Sequence, residues 1–143
     1  MAGEMPIPVS SYPDDYTTWT FGPFSASSAD QILPWVPDRD VVIDRIGYIF
    51  RVAGSTGATF AILNRDNSAD TTVASTVSAA RTILAATSLD TGVAVNPNTY
   101  TETYTLSTYN LVKRGNQLVI DFAGTLTNLA DFFVEIRYRS KKK

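Results

Sequence analysis

Neither cysteine nor histidine occurs among the 143 residues. Without cysteine there can be no disulfides, thiolate nucleophiles, zinc ribbons or iron–sulfur ligation. Without histidine the chain lacks the commonest general base near neutral pH, the Ser–His and Cys–His pairings and the commonest metal ligand. Long apolar runs are missing too: no stretch approaches the ~18 consecutive residues of a membrane span. The opening MAGEMPIPVS has neither the basic nor the apolar region of a secretory signal, so the chain is expected to be made and used inside a cell, or released only by lysis. Charge is sparse at 18% and nets to −2, too little to steer the whole molecule to nucleic acid or membrane. Neither is an expected partner, and no cofactor, metal or catalytic residue is expected.

What is present leans toward sheet. Thr and Ser supply 30 residues and aromatics 11%, and β-branched and aromatic side chains suit pleated, half-buried surfaces. The 44% hydrophobic content and the length fit one globular domain. From residue 16 onward, short strand-like runs alternate with turn residues. Residues 16–21 form the first run and are expected to stop at Gly22-Pro23. Pro34 marks residues 32–35 as an edge strand. Residues 41–52 are the strongest strand, with Ile46, Tyr48, Phe50 and Val52 on one face and Gly47, Ile49 and Arg51 on the other. Residues 58–63 follow, then a turn at 64–70, and residues 71–89 read as one or two strands despite their alanines. Residues 99–107 alternate, with Tyr100, Glu102, Tyr104 and Leu106 sharing a side. Residues 111–112 and 118–122 read as a hairpin around a turn at 113–116, with Gly115 supplying a positive φ. In the last strand, residues 131–138, Phe132, Val134, Ile136 and Tyr138 share a face. Seven to nine strands at this spacing predict an all-β, antiparallel β-sandwich.

The ends differ from the middle. Residues 1–15 hold three of the seven prolines and read as an extended N-terminal arm. Met5, Ile7, Val9 and Tyr12 punctuate it, which distinguishes it from a purely polar tail. The arm is either a loose terminus or a strap lying in a groove of its own domain or of a neighbour. The expected organisation is arm 1–15, sandwich 16–140 and basic tail 141–143. Residues 1–70 carry nine acids against four bases, and residues 71–143 five against eight. Five of those bases are Arg137, Arg139, Lys141, Lys142 and Lys143. This run is a solvated tail, an unspecific phosphate contact or a contact with an acidic protein surface.

Candidate chemistry is thin. Asp38 with Asp40, or Asp121 with Asp131 or Glu135, would have to supply the two carboxylates of a glycosidase. The first pair suits a turn and the others a solvated strand face. Asn64, Asp66, Ser68 and Asp70 have the spacing of the start of a calcium loop, but its sixth and twelfth positions are Ala69 and Ser75, which points to a solvated turn. Neither G-x-S-x-G nor a phosphate-binding glycine loop occurs. Trp19, Trp35, Tyr100 and Tyr104 could form an aromatic platform for sugars, although most sandwich aromatics belong to the core.

The order of features resembles the small capsid decoration, or cement, proteins of tailed phages, of the jelly-roll type. The Pro-punctuated arm, the apolar strand 41–52, the Thr/Ala/Ser-rich middle, the turn Leu111-x-x-x-Gly115-Asn-x-Leu118 and the closing strand 131–138 carry the resemblance. It covers about residues 40–140 and is one of pattern; the turn also occurs in tail-fibre and carbohydrate-binding sandwiches. It implies a jelly-roll-like virion protein made in the host cytoplasm. Such a protein would sit as a homotrimer on the outer capsid surface, stabilising it by bridging capsomers. Its partner would be the major capsid protein, with Met5, Ile7, Val9 and Tyr12 as anchors. The alternative is a carbohydrate-binding or receptor-binding sandwich of a tail or head fibre.

Overall fold

A computed structural model describes residues 16–66, 81–92 and 97–141. Nine strands run through them: β1 (Thr17–Phe24), β2 (Gln31–Ile32), β3 (Val41–Ile49), β4 (Thr59–Arg65), β5 (Thr82–Ser88), β6 (Thr101–Thr103), β7 (Leu111–Val112), β8 (Gln117–Ala123) and β9 (Phe132–Ser140). One sheet has the order β1-β9-β3-β6, with β7 pairing farther along β3; the other has the order β2-β8-β4-β5. Every pairing between these strands is antiparallel. Apart from the β4–β5 pair and the two short strands that share β3, successive strands cross between the sheets. This is the strand order of a jelly roll. Of the segment 71–89, Thr82–Ser88 is a strand, and 71–80 lies outside the described residues.

The core is built by alternation. Phe132, Val134 and Ile136 of β9 point inward, opposite Phe60 and Ile62 of β4 and Leu118 and Ile120 of β8. On β3 the inward set changes parity from Val41 and Ile43 to Ile46 and Tyr48. The cause is a bulge: Ile43 pairs with Tyr138 and Arg45 with Arg137, leaving Asp44 as the extra residue. The bulge places Asp44 and Arg45 side by side on the outer face.

Several expectations are corrected. β1 does not stop at Gly22-Pro23 but continues to Phe24. The register slips between Phe21 and Phe24, and on an edge strand the donor that proline lacks costs no ladder bond. Gly22 holds φ +128°, and a Cβ there would stand 2.6 Å from the Phe132 carbonyl oxygen, so only glycine fits. Residues 111–122 are not a hairpin. Their turn forms, with Gly115 at φ +85°, but β7 pairs with β3 while β8 is taken up between β2 and β4. Pairing with β3 seats Val112 in the core. The strand expected over 99–107 is confined to Thr101–Thr103; Leu106, beyond its end, packs on the core instead of sharing the face of Tyr100 and Tyr104. Asn64, expected in a turn, lies within β4 and is 5% exposed.

Candidate functional site

Met5, Ile7, Val9 and Tyr12 lie outside the described residues. The described chain begins at Tyr16, at the head of β1, beside an aromatic flank. There β1 is the edge of one sheet and β2 the edge of the other. Trp19, 40% exposed, stacks on Phe21 with centroids 6.2 Å apart and lies 6.5 Å from Trp35. Its indole Nε1 donates to Tyr138 Oη at 2.7 Å, and Trp35 tilts against the Tyr138 ring at 4.9 Å. The next residue, Val36, is exposed. Two clefts open along the flank. One of about 350 Å³ is lined by Thr20, Phe21, Pro23, Leu33 and Pro34. The other, of about 340 Å³, is lined by Thr17, Trp35, Arg39, Tyr138 and Ser140. Among the described residues β1 pairs only with β9, which leaves its other edge open to a further strand.

The outer face of the β1-β9-β3-β6 sheet carries a second constellation. Arg137 is held by both carboxylate oxygens of Asp44, at 3.0 and 2.6 Å. Its guanidinium lies 4.3 Å from the Tyr16 ring centroid and 5.7 Å from that of Tyr104. Arg45 pairs with Glu135, and with Glu102 at 3.6 Å. Tyr100 donates its hydroxyl to Glu135 at 2.8 Å. Burial, with the Glu135 carboxylate adding to it, pushes the Tyr100 phenol above its ordinary pKa.

The acids expected to pair are not brought together. Asp38 binds Arg39, Asp40 accepts from the Arg114 amide at 2.9 Å, and Asp131 binds Arg51. Asp121 lies on β8, in the opposite sheet from Glu135. Its neighbour is Asp30, which the sequence pattern does not single out. The signal appears only in strand pairing: Gln31 opposes Ile120, so the preceding residue meets Asp121. Asp30 also accepts from the Phe122 amide at 2.7 Å. Burial and the adjacent Asp30 raise the Asp121 pKa. A carboxyl whose pKa is raised by folding binds its proton more tightly in the folded chain, so it lowers stability as pH rises through that folded pKa. Asp121→Asn is therefore expected to stabilise the protein at pH 7 by less than about 1 kcal/mol, a modest figure because the pair is partly solvated. The gain should vanish below about pH 4. Thermal melts at both pH values check this; a variant no more stable than the parent at pH 7 refutes the repulsion.

The calcium-like run is broken at its first position. The Asn64 amide points inward and donates to the carbonyls of Tyr109 and Leu111, at 3.0 and 2.9 Å, while Ser68 and Asp70 lie outside the described residues. Among the described residues no three acids converge on a common point. Of the C-terminal bases, Arg137 is absorbed into the sheet face and the Lys141 amide bonds the Asp40 carbonyl; Lys142 and Lys143 lie outside the described residues. No helix among the described residues is long and apolar enough to cross a membrane.

The fold and its surfaces define a jelly-roll β-sandwich with an aromatic flank and a charged, tyrosine-bearing outer sheet face. Comparison with models of protein families, with curated proteins and with solved structures finds no match.

Proposed function

We propose that this chain is a structural, non-catalytic virion protein: a decoration protein that binds the outer surface of a phage capsid and bridges capsomers. The observation that carries the reading is the aromatic flank at the head of β1, where a strand edge unpaired among the described residues, exposed Trp19 and Val36, and two clefts occur on the strand that follows the apolar, Pro-punctuated segment 1–15 in sequence. Exposed aromatics beside an unpaired edge are features of a protein-binding surface, where main-chain pairing gives affinity and pockets give selectivity. Burying Met5, Ile7, Val9 and Tyr12 on the major capsid protein would contribute several kcal/mol per arm at ~25 cal/mol per Å², less the cost of ordering the arm. A homotrimer would engage three such arms, each raising the effective concentration of the next.

The test is co-sedimentation with heads assembled from the major capsid protein of the phage that would carry this chain. The full chain is expected to bind. Removing residues 1–15, or replacing Met5, Ile7, Val9 and Tyr12 with serine, is expected to weaken binding at least about a hundredfold without lowering the melting temperature of the sandwich. Undiminished binding by both variants refutes the arm mechanism, and no binding by the full chain refutes the capsid assignment.

A further inference from the structure

The outer face of the β1-β9-β3-β6 sheet is not needed for an arm-and-flank mechanism, and its tyrosines are held in an unusual way. Tyr100 does not project from the sheet edge into water. It lies across Gly47 of β3 to reach Glu135 on β9, 2.8 Å away. Gly47 is what admits it, because a Cβ at that position would collide with the phenol end of the ring. Tyr104 donates its hydroxyl to Glu102 at 3.4 Å, and its ring centroid lies 5.7 Å from the Arg137 guanidinium. Both rings still face solvent, at 43% for Tyr100 and 57% for Tyr104.

The chemistry of this face selects among ligands. The Tyr100 ring is already pinned, so binding on it costs little side-chain entropy. Glu102 and Glu135 offer carboxylate acceptors at the rim, and Arg45 and Arg137 offer donors. An apolar protein surface laid here would bury these charges without adequate partners. A nucleic-acid backbone would be repelled by Asp44, Glu102 and Glu135. A neutral sugar meets both demands: its C–H face stacks on a ring while its hydroxyls hydrogen-bond to the surrounding charged groups. Two exposed rings on one face offer two stacking positions. We infer that this face binds a neutral, pyranose-containing oligosaccharide, with sugar rings on Tyr100 and Tyr104 and hydroxyls on Glu102.

The full chain should be applied to an array of immobilised neutral oligosaccharides of glucose, galactose, mannose and N-acetylglucosamine, and the best binder then titrated in solution. Saturable binding is expected, weakened at least tenfold by Tyr100→Ala and by Tyr104→Ala and unchanged by Trp19→Ala on the other flank. Tyr100→Phe, which keeps the ring but loses the bond to Glu135, should fall between. Should Tyr100→Ala prove unstable in a thermal melt, Tyr104→Ala carries the test, because its ring is the most exposed of the large apolar side chains among the described residues. No binding on the array, binding that both alanine variants leave intact, or binding lost on Trp19→Ala overturns the inference. Capsid co-sedimentation by Tyr100→Ala and Tyr104→Ala should match the parent, so the sugar and capsid readings fail separately.

Discussion

Phe132→Ala is expected to cost about 3–5 kcal/mol of folding stability. Phe132 is fully buried, and four other rings converge on it from four different strands. Phe60 of β4 lies 5.0 Å away, Phe24 of β1 5.9 Å, and Tyr48 of β3 and Phe122 of β8 each 6.2 Å. The cluster therefore joins both sheets at one side chain. Truncation removes the transfer free energy of the ring and leaves a cavity that neighbours on separate, hydrogen-bonded strands cannot close. Phe132→Leu keeps much of the volume and should cost about 1.5 kcal/mol. Urea denaturation of the three proteins checks the pair of values, provided the denaturant slope is unchanged. Since domains of this size are stable by only about 5–15 kcal/mol, the alanine variant should unfold at a much lower urea concentration. A loss below about 1.5 kcal/mol for Phe132→Ala would mean that the rings repack and do not form a rigid junction.

Asn64→Ala is expected to cost about 2–4 kcal/mol through a different mechanism. Asn64 is the one buried polar side chain among the described residues. From β4 in one sheet its amide donates to the Tyr109 carbonyl and to that of Leu111, which belongs to β7 in the other. It thus ties the sandwich together where the chain passes from the short 3₁₀ turn Thr108–Asn110 into β7. Alanine leaves two carbonyls without these donors in a nearly dry site. Asn64→Asp should be worse at neutral pH, because a carboxylate would point at two carbonyl oxygens. Protonation restores a donor, so the penalty of Asn64→Asp should shrink as pH falls, the sign for a carboxyl whose folded-state pKa is raised. Urea melts at about pH 4 and pH 7 test both substitutions. A cost below about 0.5 kcal/mol for Asn64→Ala, or a pH-independent penalty for Asn64→Asp, would refute the tie.

Much of the local architecture is legible in the chain itself. The alternation of Phe132, Val134, Ile136 and Tyr138 marks the inner face of β9, because successive strand residues must point opposite ways. Gly115 signals a positive φ because it lacks a Cβ, whereas the strand expected over 32–35 ends at Ile32, two residues before Pro34, on the edge strand β2. The outward position of Tyr100, Glu102 and Tyr104 also follows from alternation, but that of Leu106 does not, because the strand ends three residues ahead of it. The candidate surfaces are less legible. The contact between the Trp19 and Tyr138 side chains spans 119 positions, and no local pattern links those residues. The aromatic flank therefore exists only once β1 has paired with β9. The carboxylate pair Asp30–Asp121 likewise depends on β2 meeting β8.

Composition and periodicity by themselves determined that this is a β-sandwich without cysteine or histidine chemistry, with its inner faces in β3 and β9 and its turns at glycine and proline. These are properties of single residues and their immediate neighbours, set by φ/ψ preferences and by the two-residue period of a strand. Partner choice was decided only in three dimensions. β7 left β8 for β3 although the turn between them is sound, since seating Val112 in the core required the opposite sheet. The bulge at Asp44, the inward turn of Asn64 and the resting of Tyr100 on Gly47 have the same origin. Each is favourable only when strands distant in sequence already stand side by side, so the packed sheets, and not the local chain, set their positions.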